Sequence, residues 1–231
     1  LNLLQSTRRM ELPMHIVIQG AGRGLGLAFA HHALRAGASK LYLTARNPQD
    51  CEGFLQLQPS ENVHWFNLDF LNSDQIASTG EAILTAAPRI DRVIVTAGVL
   101  HTGEIQPEKR VEALETEAML HLYQVNAMGP VLFLKSLWPA LRRAHPVTVA
   151  SLSARVGSIS DNRLGGWYSY RATKAALNQY IRTLSIELAR YNDQAKIVTL
   201  HPGTVETDLS QPYRSQVSPK QLKSAAESAD Q

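Results

Sequence analysis

The chain has one cysteine, Cys51, in 231 residues. That excludes an internal disulfide framework and any cysteine-rich metal site. The eight histidines include no His-x-x-x-His pair and no His/Cys cluster. His31 and His32 are adjacent, so on a helix they diverge by about 100°, which is poor chelating geometry. No metal is expected. No apolar run reaches the roughly 18 residues needed to span a bilayer, so no membrane partner is expected. Arg8 and Arg9 precede no apolar stretch before Pro13, which argues against a secretory signal and for a cytoplasmic home. Charge of one sign is also scarce. The net charge is +3 and the basic residues are dispersed, with no aromatic-interleaved basic stripe, so no nucleic-acid partner is expected. There is no internal repeat, no low-complexity tract and no sign of a second domain.

What is present is an alternation of two patterns. Apolar or β-branched runs suited to buried strands occur at His15–Gln19, 41–44, 63–68, 92–96, 147–152 and Lys196–Leu200. Helical patterns fill the gaps at 24–36, 73–87, 116–143 and 169–191. Strands alternating with helices predict an α/β fold, a doubly wound parallel sheet flanked by helices. A hydrophobic content of 44% is ample for its core. Gly37 is placed to end the first helix. Residues 1–9 read as a tail, upstream or non-native, with Met10 and Met14 each a possible start. Residues 10–231 read as a single domain.

After the first strand the chain runs Gln19-Gly20-Ala21-Gly22-Arg23-Gly24-Leu25-Gly26 and enters an apolar helix. Glycines in a strand-to-helix turn permit close backbone approach to a pyrophosphate, and the helix N-terminus offers free N–H groups and a positive dipole end. The spacing is Gly20-x-x-x-Gly24-x-Gly26 rather than Gly-x-Gly-x-x-Gly. About 20 residues on, where NAD sites place a carboxylate, the second strand ends in Thr44-Ala45-Arg46 with no acid. Arg46 can grip a 2′-phosphate bidentately, and Arg23 can add a second positive charge. Otherwise both arginines are ordinary solvated residues. NADP(H) is therefore expected in preference to NAD(H).

In Trp167-Tyr168-Ser169-Tyr170-Arg171-Ala172-Thr173-Lys174, Tyr170 and Lys174 stand four apart and project from one helix face. An ammonium one turn away favours phenolate, so Lys174 is expected to lower the Tyr170 pKa and fit the phenol for proton transfer near neutrality. Alone, such a pair is most often a surface tyrosine and a solvated lysine. The glycine turn is what gives it weight.

Together these motifs resemble the short-chain dehydrogenase/reductase family, over about residues 15–209. Asp69, in Asn67-Leu68-Asp69, resembles its adenine contact. Thr96-Ala97-Gly98 resembles the Asn-Ala-Gly turn after the fourth strand, with Thr for Asn. Val125-Asn126-Ala127 resembles the helix carrying the catalytic Asn, and Tyr170 with Lys174 its catalytic pair. Pro202, Gly203, Val205 and Thr207 resemble its segment beside the nicotinamide. Gly157-Ser158-Ile159 and the Gly165–Tyr170 run look most like its small carbonyl reductases of the sniffer and C-factor type. The resemblance implies a Rossmann-type fold and NADPH-dependent reduction of a ketone or aldehyde, reversible as alcohol oxidation. Tyr170 would donate the proton, Lys174 would hold the nicotinamide ribose, and Asn126 would hold a relay water unless it merely satisfies backbone. The alternative is a dinucleotide-binding signalling or regulatory protein without turnover.

The family's active-site serine is best matched by Ser153, although anchoring on Arg155-Val156-Gly157 puts Ala154 there, and Ser158 has the usual spacing to the tyrosine. Gln19 stands where a Thr usually opens the glycine motif. The chain ends inside what resembles the family's last helix, before its seventh strand, so a sheet edge is expected to lie open. Residues 203–218, with Leu209, Pro212, Tyr213 and Val217, are expected to cover a small carbonyl or alcohol substrate, with Trp167 either an aromatic wall or core. A homodimer or homotetramer is expected, with Leu137, Trp138, Leu177, Tyr180, Ile181 and Leu184 as contacts, unless these face the sheet.

Overall fold

The computed structural model describes residues 14–216, 218 and 221–231. The tail assigned to residues 1–9 and the lid residue Val217 lie outside these. Six parallel strands form one sheet in the order β3-β2-β1-β4-β5-β6, with β1 His15–Gln19, β2 Lys40–Ala45, β3 Val63–Asn67, β4 Arg92–Val95, β5 Thr148–Leu152 and β6 Lys196–Leu200. The central strand His-Ile-Val-Ile-Gln is buried at every position, as a strand covered on both faces must be. Its register aligns Ile16 with Leu41 on one side and Arg92 on the other.

Alternate residues of β1 to β4 feed two cores. On one face Ile16, Ile18, Leu41 and Leu43 pack with Leu27, Ala30 and Ala33 of helix α1 (Gly24–Arg35). On the other, Val17, Val93, Val95 and Val149 meet Ile76 and Ile83 of α3 (Ser73–Ala86), Phe133 and Leu134 of α5 (Gly129–Ser136), and Leu177 and Ile181 of α7 (Tyr168–Leu188). A short helix α2 (Glu52–Gln56) precedes β3.

The helix expected over 116–143 is broken. It runs as α4 (Thr116–Tyr123), a π turn at Gln124–Met128, α5, and α6 (Trp138–Leu141). Pro130 and Pro139 have no N–H to donate, so the regular i→i+4 ladder cannot continue through them. The residues offered as dimer contacts also resolve. Leu137, Leu177 and Ile181 are buried in the chain's own core, with Trp138 and Leu184 packed against it, and Tyr180 shares a hydrogen bond with the Tyr123 hydroxyl at 3.0 Å. They face inward.

At the C-terminal end two-residue strands β7 (Thr204–Val205) and β8 (Leu222–Lys223) pair in parallel, and α8 (Ala225–Asp230) follows. A capping box starts α8: Ser224 accepts from the Glu227 N–H while Glu227 accepts from the Ser224 N–H. Asp230 ties it to α1 through His32 and Arg35. Among the described residues β6 has no strand on its outer side, and Val198 and Leu200 are exposed there.

Candidate active site

The strand order reverses between β1 and β4, and the crevice above their C-terminal ends is where a doubly wound sheet binds ligands. The glycine turn forms its floor. Gly20 and Ala21 both donate their N–H to the Thr44 carbonyl, at 3.1 and 2.9 Å, and Gly20 takes φ +82°, a conformation that strains any side chain. A Cβ on Gly26 would stand 2.1 Å from the Gly20 carbonyl oxygen, so turn and helix meet only because that side chain is absent. Below them Gly53 of α2 donates to the Gly22 carbonyl at 2.8 Å. This brace carries no sequence signal beyond a glycine in an apolar stretch.

Two residues that depart from the family's usual types tie β1 to β4. The Thr96 hydroxyl donates to the Gln19 carbonyl at 2.7 Å, and Gln19 Oε1 accepts from the Ala97 N–H at 3.0 Å. Thr at 96 and Gln at 19 therefore supply the cross-strand bonds that hold the turn.

Helix α1 begins at Arg23 with no side-chain cap, leaving its positive end available to an anion. The Arg23 guanidinium lies 2.8 Å from Asp208, with both side chains well exposed. Such a surface pair is weak, but it spans from the glycine turn to the 206–216 segment. The Thr207 methyl also lies 3.4 Å from where a Gly24 Cβ would be, so that segment closes over the turn. Arg46 stands exposed after β2 with no hydrogen bond or ion pair among the described residues. Asp69 follows β3, and its Oδ1 accepts from the Leu71 N–H at 2.9 Å. An uncapped helix start, a cradle that a Cβ would fill and a free arginine at the end of β2 fit a phosphorylated dinucleotide.

Tyr170 and Lys174 lie buried on the inner face of α7. Lys174 Nζ donates to the Leu152 carbonyl at 3.0 Å and the Ala97 carbonyl at 3.4 Å, and sits 5.8 Å from the Tyr170 ring centre. The 155–157 turn presses on the helix, since a Cβ on Gly157 would lie 2.8 Å from the Lys174 carbonyl carbon. Gly98 borders the ammonium: a Cβ there would stand 3.5 Å from Nζ and 3.6 Å from Leu209, ordinary contact distances.

Burial pushes the Tyr170 phenol up to about 12 and the Lys174 ammonium down to about 8. The expectation that Lys174 lowers the Tyr170 pKa is therefore not met in this structure. Nζ is committed to two backbone carbonyls, and desolvation outweighs its field at the phenol. At neutral pH the pair is a protonated phenol beside a cationic amine.

Asn126 is fully buried. Its Oδ1 accepts from the Val99 N–H at 2.7 Å, and its Nδ2 donates to the Val99 carbonyl at 2.7 Å and to Thr173 Oγ1 at 3.3 Å. The side chain thus clamps the loop after β4 to α7. Its backbone carbonyl would ordinarily accept from residue 130, but Pro130 has no N–H, and the π turn spans this position. Single π turns inside helices cluster at functional sites.

Ser153 is buried, and its hydroxyl donates to Asn178 Oδ1 at 2.7 Å. Asn178 is eight residues beyond Tyr170 on α7, about 12 Å along the axis. Ser158 lies in the following loop, where its Oγ accepts from the Asp161 N–H at 3.3 Å. Ala154 precedes the 155–157 turn with no hydroxyl to offer.

On the opposite wall, Pro202 and Gly203 follow β6, and Val205 is buried in β7. The mouth is aromatic. Trp167 stacks edge-on to Tyr170 with ring centres 6.3 Å apart, Tyr213 lies 5.0 Å from Trp167, and His101 lies 6.2 Å from Tyr213. Of these rings, His101 has no distinguishing pattern in the sequence. A cavity of about 780 Å3 runs elsewhere, along the outer edge of β3 past His64 and Trp65, and contains none of the motif side chains except that of the strand end at Asn67.

The model of the short chain dehydrogenase family matches residues 14–218, and the chain belongs to that family of oxidoreductases. It is 30% identical over 213 residues to oxidoreductase BOA17 of Botryotinia fuckeliana, covering 87% of this chain and 72% of that one. Its fold superposes on carbonyl reductase Sniffer of D. melanogaster with a TM-score of 0.81 at 25% identity, covering 94% of this chain and 89% of that one. A short-chain dehydrogenase/reductase from Burkholderia multivorans with bound NADP gives a TM-score of 0.77 at 26% identity, covering 95% and 88%.

Proposed function

We propose that this enzyme reduces a ketone or aldehyde at the expense of NADPH, with Tyr170 as the proton donor. The observation that carries this reading is the buried Tyr170–Lys174 pair at the crevice, with the phenol held protonated and Lys174 fixed on the Leu152 and Ala97 carbonyls. A protonated phenol is the form that can donate to an alkoxide developing on a carbonyl. NADPH supplies the hydride when bound. Gly20, Gly22, Gly24, Leu25 and Gly26 receive its pyrophosphate and Arg46 its 2′-phosphate. Arg23 supports that charge only when released from Asp208. Asp69 and the 96–98 turn serve the adenosine side, and Pro202, Gly203, Val205 and Thr207 the nicotinamide side. The neighbour with bound NADP supports this cofactor.

Lys174, cationic at neutral pH, holds the nicotinamide ribose and returns a proton to Tyr170. The Asn126 carbonyl, which has no N–H at Pro130 to accept from, holds a water on the path to solvent. Ser153 is assigned a supporting role through Asn178 rather than a bond to the substrate. The rings of Trp167, Tyr213 and His101 favour a flat apolar or aromatic carbonyl compound. A homodimer would form through the outer faces of α4 and α7, where Met119, Leu120 and Ile186 are exposed, rather than through the buried residues named above.

The test is NADPH consumption against a panel of aldehydes, diketones and quinones, with Tyr170→Phe alongside. Tyr170→Phe should bind NADPH normally and lose at least about a hundredfold in kcat, the usual contribution of a general acid. NADPH binding with no turnover across the panel would instead favour the regulatory reading.

A further inference from the structure

Helix α7 carries the Tyr170 hydroxyl, yet it starts without a cap of its own. Trp167 precedes it in the left-handed region at φ +52°, after Gly165 and Gly166 at +66° and +63°, and makes no side-chain cap bond. The free N–H groups of the first turn would be orphaned if nothing else reached them. What reaches them is Glu108, from the loop after β4, 61 residues away along the chain. It is buried. One of its carboxyl oxygens accepts from the Ser169 N–H at 3.3 Å, and the other accepts from the Ser169 hydroxyl. Its backbone carbonyl accepts from the Trp167 N–H at 2.5 Å. Both residues flanking Tyr168 are thus tied to one side chain and its peptide, and Tyr170 follows directly. An acidic group at a helix start is also favoured by the helix dipole.

We propose that Glu108 is a positioning residue for the reaction: through Ser169 and Trp167 it fixes the first turn of α7, and so sets where Tyr170 presents its hydroxyl and where Trp167 walls the substrate. This rests on the reading of Tyr170 as proton donor. Small displacements of a reacting group lower rates steeply. Glu108→Ala should lower kcat by about tenfold to a hundredfold, while the NADPH dissociation constant stays within about twofold. Glu108→Gln retains one oxygen for the Ser169 N–H and offers an amide to the hydroxyl, and should stay within about threefold of wild type. Hydrogen exchange at the Ser169 amide should quicken in Glu108→Ala and not in Glu108→Gln. Should Glu108→Ala fail to fold, Ser169→Ala removes only the hydroxyl bond, and a loss of about three- to tenfold in kcat with unchanged NADPH affinity is expected. A folded Glu108→Ala protein with kcat within about threefold of wild type overturns the proposal. So does a loss of NADPH affinity in step with kcat, or failure of Glu108→Gln to restore the rate. If wild type reduces nothing, the proton-donor reading fails by itself, and the exchange comparison still decides whether Glu108 anchors the helix.

Discussion

Lys174 is buried with no carboxylate partner among the described residues, and this makes a measurable claim about the folded chain without cofactor. Its pKa falls from 10.5 to about 8 on folding. Below pH 8 both folded and unfolded states carry the proton, and the folded state bears the full desolvation penalty. As pH rises through 8, the folded state releases the proton while the unfolded chain keeps it until about 10.5. In that window the unfolded state binds more protons, so stability rises with pH. Each tenfold gap is worth about 1.4 kcal/mol, and the whole window therefore contributes roughly 3 kcal/mol. Lys174→Met keeps the length and burial of the side chain and removes the charge. It also leaves the Leu152 and Ala97 carbonyls without their donor, but that loss does not depend on pH and cannot alter a slope. Urea denaturation at intervals from pH 7 to 10, without NADPH, should show wild type gaining stability relative to Lys174→Met by about 1 kcal/mol per pH unit above pH 8. Measurements stop at pH 10 because Tyr170, raised to about 12, reverses the trend beyond its unfolded value of 10. Parallel curves for the two proteins across this range would refute the burial argument, and with it the claim that desolvation governs the pair.

Arg46 is exposed with no partner among the described residues, so replacing it should not affect folding. Arg46→Ala should weaken NADPH binding by about tenfold to a hundredfold, the worth of a charge-assisted hydrogen bond, and leave NADH binding unchanged. Equal losses for both cofactors, by fluorescence titration, would remove Arg46 from the 2′-phosphate site. Ser153 gives its hydroxyl to Asn178, so Ser153→Ala should lower stability by about 1 kcal/mol and kcat by less than about threefold. A hundredfold fall in kcat at unchanged melting temperature would return Ser153 to the substrate carbonyl.

The inner strands were legible because strands covered on both faces read as near-continuous apolar runs, and the edge strands β3 and β6 because β-branched and aromatic residues cluster in them; the ends read from sequence differ from the observed ones by a residue or less. The glycine turn was legible because Gly20 holds a positive φ that strains any side chain and Gly26 has the Gly20 carbonyl where its Cβ would stand. The break in the 116–143 helix was also encoded, in Pro130 and Pro139, but the apolar periodicity across them hid it. That periodicity could not say which apolar face meets the sheet and which meets solvent, and this is why Leu137, Leu177 and Ile181 read as surface contacts while lying in the core.

Composition and local pattern by themselves determined the α/β alternation, the order of the motifs and the pairing of Tyr170 with Lys174, because each depends on neighbours within one turn or one strand. Only the tertiary structure decided the direction in which the pKa values of that pair move, since burial is a sum over distant segments and outweighs a charge one turn away. It alone turned the Ser153 hydroxyl toward Asn178, paired β7 with β8, brought Tyr213 to Trp167 and His101 to Tyr213, and carried Glu108 to the start of α7. Those contacts join residues separated by tens of positions, and nothing in the spacing of one residue from the next records them.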